Sequence, residues 1–307
     1  MKASSRITVR AFFELRITEL ERTGRWGTAS NYAKTERSFR HFCGDSDLYL
    51  NDITPGLVED YNRYLKDRGL IRNSISQYNR VLRALYNEAV RRELVTDLLP
   101  FRKVYTGIDK TSKRALSEKD ISKIAAVEIK GTLLELAKDM FLFSYATCGM
   151  TFVDMVYLRK RSIKGDKVVY YRRKTGSRIE VRLEPVAKRI IRKYVTRTRG
   201  SEYVFPILGN LTGKEAYKRF TSALTEYNRA LKKLSGEAGI VHVSSYVPRH
   251  SWATAARNNG ADVSTISEAL GHRSERTTII YLADFDRRKI EKVNKRLVDH
   301  LKMFSSL

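Results

Sequence analysis

Residues 133–149, LLELAKDMFLFSYATCG, place apolar side chains nearly all the way round a helical projection. A helix of that kind has no face to give to water, so the rest of its domain must cover it on every side. It predicts a central helix wrapped by others. Candidates for the wrapping follow at helical period: KEAYKRFTSALTEYNRALKKLSG (214–236), SSYVPRHSWATAARNNG (244–260) and VSTISEALG (263–271). Ahead of it, LSEKDISKIAAVEI (116–129) carries Ser117 three residues before Asp120, the pattern of a capping box. Strand-like composition is found in KVVYYRR (167–173) and SRIEVRLEP (177–185), joined by the turn KTG (174–176). This part of the chain is therefore expected to be mainly α with a small antiparallel sheet.

A chain of 307 residues fits two domains better than one, and its first hundred residues read as a separate helical bundle. In ITVRAFFELRITELERTG (7–24), Val9, Phe12, Phe13, Leu15, Ile17 and Leu20 form a broad stripe before Gly24. A second amphipathic stretch ends at Gly44. The third opens with Thr54 as N-cap and Pro55 at the first helical position, and stops near Gly69. The fourth runs through 73–94 with Asn73 as its cap. Between the halves, FRKVYTGIDKTSKRAL (101–116) is basic and lacks a helical period, as expected of a linker along a duplex backbone or of an ordinary interdomain loop. The expected division is 1–105 for the bundle, 106–115 for the linker, 116–285 for the second domain and 286–307 for a helical tail.

Lys and Arg number 59 against 34 acidic residues, a net charge of +25. Through position 105 the count is 19 against 13, so the 40 basic and 21 acidic residues beyond it carry most of the excess. Such an imbalance points to a polyanion, since neutralising phosphates releases condensed counterions. With 42% hydrophobic residues the chain can bury a core, which excludes a disordered basic tail. No run of about 18 apolar residues is present, and MKASSRITVR lacks the apolar stretch of a signal peptide, so a cytoplasmic protein without membrane attachment is expected. Cys43 and Cys148 are too few for a disulfide framework or a structural zinc site.

Breaking and rejoining a nucleic-acid strand without a metal needs a nucleophile whose adduct keeps the phosphodiester energy. It needs fixed cations for the non-bridging oxygens, and a proton for the leaving oxygen. Tyr, Arg and Lys or His suit those tasks. In LGHRSERTTIIYL (270–282), Tyr281 follows His272 by nine residues. Alone, Tyr281 reads as a packing tyrosine and His272, after Gly271, as a helix-end residue. Arg249 follows Pro248, which presets a helix start and could aim guanidinium and backbone N–H groups at one phosphate; alone it reads as a surface arginine. His250 and Trp252 read as packing residues. Lys174 sits at the tip of a hairpin basic enough to enter a groove, or is a solvated turn lysine.

Together, the order Lys174, Arg249, His272, Tyr281 and the run VPRHSWATAARNNGADVSTISEALGHRSERTTIIYL (247–282) resemble the tyrosine recombinase, or phage-integrase, family. GMTFVDMVYLRK (149–160) and YYRRKTG (170–176) look most like integrases of Bacteroides-type mobile elements and invertible DNA regions. The resemblance implies a SAM-like helical core-binding domain and a mostly α catalytic domain of the DNA breaking-rejoining fold. Tyr281 would form a 3′-phosphotyrosyl link, Arg249 would hold the non-bridging oxygens and Lys174 would protonate the leaving 5′-oxygen. His272 would contact the phosphate or help manage the tyrosine proton. It implies no cofactor, metal, ATP or small-molecule ligand. The partners would be double-stranded recombination sites, bound by four protomers on two duplexes. DNA contacts are expected from Arg172, Arg173 and Arg178 on the hairpin and from Arg102, Lys103, Lys110, Lys113 and Arg114 in the linker.

Two positions depart from the family pattern. Tyr246 stands where a histidine is usual, three residues before Arg249; a phenol can donate to phosphate but carries no imidazolium charge. The first catalytic arginine is missing: Thr151 occupies its place, Cys148 the place where Bacteroides-type relatives carry an arginine, and no Arg lies between residues 115 and 158. Arg159, Arg161, Arg172, Arg173 or Arg178 would have to substitute. The rival expectations are a type IB topoisomerase-like enzyme and a catalytically impaired DNA-binding architectural relative. The tail DRRKIEKVNKRLVDHLKMFSSL (286–307) fits an amphipathic helix that docks on a neighbouring protomer or on its own domain. No separate arm-binding domain is evident ahead of the bundle, which favours action on short inverted sites.

Overall fold

The computed structural model describes residues 7–44, 46, 48–109, 115–129, 133–241 and 243–282, with side chains as far as Ile279. The chain divides into two compact units, 1–111 and 112–307. Among the described residues no helix is long and apolar enough to cross a membrane.

In the first unit, α1 (Val9–Arg22), α2 (Trp26–Cys43), α3 (Pro55–Asp67) and α4 (Arg72–Arg91) enclose one core. Phe12 and Phe13 of α1 are fully buried, as the stripe predicts, each contributing roughly 1.5–3 kcal/mol of burial. Leu15, included in that stripe, is exposed instead. Thr54 caps α3 by accepting from Leu57 N, with Pro55 in its first turn.

The expected cap of α4 is corrected. The helix starts at Arg72, and Asn73 is inside it. Its carboxamide accepts from Asp109 N at 2.8 Å and donates to Asp109 O at 3.1 Å. Ser76 donates to Gly107 O, Asn79 to Tyr105 O, and Arg72 lies over the Tyr105 ring at 3.8 Å. The start of the expected linker, 106–109, is thus fastened along α4, while Leu116 N donates to Ser251 Oγ of the second unit. Asn73→Ala is expected to lower the local opening free energy of 105–109 by about 1 kcal/mol. Faster hydrogen exchange confined to those amides would show it; unchanged exchange would mean that the Asn73 bonds do not hold the segment.

In the second unit α6 (Leu133–Ala146) is central, packed by α5 (Glu118–Ala126), α7 (Phe152–Val156), α8 (Pro185–Tyr194), α9 (Gly213–Glu237) and α10 (Val247–Asn258). Its one buried carboxylate, Asp139, accepts from Lys193 Nζ at 2.6 Å and Tyr194 Oη at 2.7 Å, fixing α8 against it. Phe152 stacks on Tyr227 at 4.5 Å and seats α7 on α9. Strands β1 (Ile163–Lys164), β2 (Lys167–Tyr171) and β3 (Arg178–Arg182) form an antiparallel sheet in sequence order, with Tyr170 opposite Ile179 and Tyr171 opposite Arg178. Val168, Tyr170, Ile179 and Val181 bury one face, the alternation expected of a half-covered sheet. Then come α11 (Val263–Leu270) and α12 (Glu275–Leu282). The expected tail 286–307 lies outside the described residues.

Candidate active site

Arg249 is the largest fully buried side chain, 2% exposed, rather than a surface arginine. Pro248 sits in the first turn of α10, as its position predicts. The guanidinium donates from Nη1 to Gly149 O at 2.9 Å and from Nη2 to Leu270 O at 2.5 Å. Gly149 is why it fits there. Its φ is +74°, and a Cβ would stand 2.8 Å from Arg249 Cα and Cγ.

His272 leaves the end of α11, where Gly271 adopts φ +60° as a left-handed cap. Its Nε2 lies 3.3 Å from Arg249 Nη2 and its Nδ1 2.8 Å from Thr278 Oγ1. A guanidinium only donates, so Nε2 accepts there and Nδ1 carries the proton towards Thr278. Thr278 is fully buried, which pins α12 to the histidine. Tyr281 is placed by its backbone in the last turn of α12, three residues after Thr278, the spacing of neighbours on one helical face. Its side chain lies outside the described atoms. Tyr246, half-exposed, precedes Val247 at the start of α10 with its ring 6.1 Å from that of His250. Trp252 packs with Ile266 and Leu270.

The hairpin is stitched to the same place. Arg172 Nη1, Thr175 Oγ1 and Ser177 Oγ all approach Gly271 O, at 3.1, 3.2 and 3.3 Å, and the Arg273 guanidinium donates to Thr175 O. Lys174 is exposed in the turn between those anchors, so the reach of its flexible stem is measured from a fixed base beside His272. Asp154, buried, completes the bracing: it accepts from Thr151 Oγ1 at 2.6 Å and from Arg173 N at 2.9 Å. Thr151 is thereby occupied in holding α7 to the hairpin. Asp154, Gly149, Thr175, Ser177, Arg273 and Thr278 escaped the sequence reading. Only Gly149 carried a signal, as a glycine after an apolar helix.

The expected DNA contacts sort differently. Arg173 is exposed, over the Tyr157 ring at 3.8 Å, and Arg178 is exposed and paired with Glu180. Arg102 and Lys103 are exposed at the end of the first unit. Lys110, Lys113 and Arg114 lie outside the described residues. Arg172, also expected to contact DNA, is 5% exposed and lies beside Gly271.

Cys148 adopts φ +56° and packs partly buried against the core. Burial pushes its thiol up to about 11, and that of Cys43 likewise. A raised thiol pKa means the thiolate is scarce until the pH nears it. Alkylation at pH 8 is expected to run on the order of 100-fold slower than for a free thiol, rising about tenfold per unit up to pH 10. Fast labelling of Cys148 at pH 8 would refute this.

A buried arginine, an imidazole, a tethered lysine and a helix bearing a tyrosine, on a two-unit helical scaffold, define the class of the molecule as a strand-transfer enzyme of the integrase type. Residues 8–104 match the phage integrase SAM-like domain and residues 114–288 the phage integrase family. The chain belongs to the phage integrase family of tyrosine recombinases. It is 26% identical over 288 residues, 89% of each chain, to tyrosine recombinase XerD of Rhizobium meliloti. Among solved structures, a lambda integrase dimer bound to a COC′ core site superposes with a TM-score of 0.67 at 18% identity, covering 92% of this chain and 98% of that one. A lambda integrase tetramer bound to a Holliday junction gives 0.64 at 17% identity, covering 90% and 78%.

Proposed function

We propose that this chain is a site-specific recombinase that cuts and rejoins double-stranded DNA in a bacterial cytoplasm. It works as four protomers on two duplexes, in the manner of Bacteroides-type mobile-element integrases and invertases. Residues 1–105 grip the duplex and 116–285 carry the chemistry. The Tyr281 phenolic oxygen attacks the scissile phosphorus, the P–O5′ bond breaks, and a 3′-phosphotyrosyl link forms. Lys174 protonates the departing 5′-oxygen, and Arg249 stabilises the non-bridging oxygens. His272 meets the phosphate beside it or takes up the proton that the Tyr281 phenol gives away, and Tyr246 donates a hydrogen bond. A 5′-hydroxyl from the partner duplex then reverses the step, one bond for one bond, so no ATP is consumed.

The observation that carries this reading is the pairing of the buried Arg249 guanidinium with His272, itself bonded to the helix that bears Tyr281. The test is covalent capture. The protein is incubated with fragmented DNA of its source genome in EDTA without ATP, denatured in SDS, and filtered to retain protein-linked DNA. Retained fragments joined through a 3′ end, clustering at short inverted repeats, are the expected result. Specific binding without a covalent product would favour the architectural reading, and supercoil relaxation without recombinants the topoisomerase one.

A further inference from the structure

We infer that Arg172 supplies the second cation on the scissile phosphate, in place of the arginine missing from the turn at 147–151. The inference rests on the recombinase reading above and deepens it.

The five arginines that could substitute separate cleanly. Arg159 is paired with Glu202 at 3.2 Å, Arg178 with Glu180 at 2.8 Å, and Arg173 lies over Tyr157. Arg161 is exposed in the turn before β1. Arg172 alone is buried beside the site. Its Nη1 donates to Gly271 O, and Arg249 Nη2 donates to Leu270 O, so the two guanidiniums approach consecutive carbonyls immediately before His272.

Arg172 is also uncommitted. Among the described residues no carboxylate lies within ion-pair distance of it, and its Nε, buried, meets no acceptor. Among the described residues its guanidinium has one partner, Gly271 O, which also has Thr175 Oγ1 at 3.2 Å, while the Ser177 hydroxyl reaches both Gly271 O and Thr175 Oγ1. Each hydroxyl has one proton to give, so Gly271 O keeps a donor in Thr175 when the guanidinium turns to another acceptor. A buried guanidinium held by one shared bond is costly unless an anion completes it. A phosphate at Arg249 would do so, and in this low-dielectric setting the added charge acts strongly. The bidentate fork of arginine suits two non-bridging oxygens of one phosphate. Its sequence position explains the geometry: it is the last residue before the turn 173–176, closed by Arg172 N donating to Ser177 O and Gly176 N to Arg172 O.

The experiment is single-turnover cleavage of a nicked duplex built on the captured sequence, with either a phosphodiester or one methylphosphonate at the scissile position. The methylphosphonate lacks one anionic oxygen and so needs less cationic help. Arg172→Gln keeps a donor for Gly271 O but removes the charge. It is expected to lose roughly 10²–10³ in rate on the phosphodiester, and to stay within about tenfold of wild type on the methylphosphonate. Equal losses on both substrates would mean that Arg172 only braces the hairpin, and no loss would mean it is idle; either overturns the proposal. If the glutamine variant does not melt cooperatively, Arg172→Lys decides. A loss on the phosphodiester at least about tenfold larger than the loss on the methylphosphonate supports the clamp, since one ammonium keeps the charge but not the fork, and equal losses on the two substrates overturn it. A wild-type protein that forms no adduct at all sinks the recombinase reading and the clamp with it. An active wild type with an idle Arg172 sinks the clamp alone.

Discussion

Tyr281→Phe is expected to abolish the SDS-resistant adduct, by on the order of 10⁴ or more in cleavage rate, while duplex affinity stays within roughly twofold. The substitution removes one oxygen and leaves the ring. Affinity rests on cations spread over the chain, of which it removes none. The loss should be near total because neither the Thr278 hydroxyl nor the Cys148 thiol is a ready replacement. Thr278 Oγ1 is engaged by His272 Nδ1, and a serine or threonine alkoxide is far harder to form than a phenolate. Cys148 is held as a thiol by burial. The check is a denaturing gel with a labelled nicked duplex in EDTA, beside a binding titration. An adduct that persists in Tyr281→Phe would place the nucleophile elsewhere, and peptide mapping of the linked residue would say where.

Much of the scaffold was legible because it is written locally. An all-round apolar helix had to be central, and α6 is; Thr54, Pro55 and Gly271 mark helix ends by rules that act within one turn. Strand-like composition around KTG marked the hairpin, although its strands stop at Tyr171 and restart at Arg178. The order Lys174, Arg249, His272, Tyr281 was readable only as a pattern, since each residue alone fits a surface or packing role. What the sequence concealed is long-range. Arg249 finds Gly149 O across 100 positions, and Arg172 finds Gly271 O across 99. No periodicity reports that a carbonyl at a helix end will gather a guanidinium and a hydroxyl from a hairpin. Asn73 misled for a related reason: Asn is a good cap, but here Asp109 offers it both a donor and an acceptor once 105–109 folds back.

Arg249→Lys is expected to cut cleavage by roughly 10²–10³ with little change in DNA affinity. The charge survives, but one ammonium cannot serve Gly149 O, Leu270 O and the phosphate in the fixed plane that a guanidinium offers. Arg249→Ala is the less informative variant, since it orphans two buried carbonyls at about 1–3 kcal/mol each and lowers Tm by several degrees. Gly149→Ala isolates the positioning. At φ +74° alanine is strained, and its Cβ would press on Arg249 Cα, which is backbone and cannot swing aside. Displacing the guanidinium by about 1 Å should cost on the order of 10² in cleavage although every charge is still present. Single-turnover rates beside melting curves separate the cases. A Gly149→Ala protein that melts normally and cleaves at the wild-type rate would show that this turn does not set the arginine. The pairing of Arg249 with His272 would then have to be set by α10 and by the α11 and α12 ends that hold the histidine.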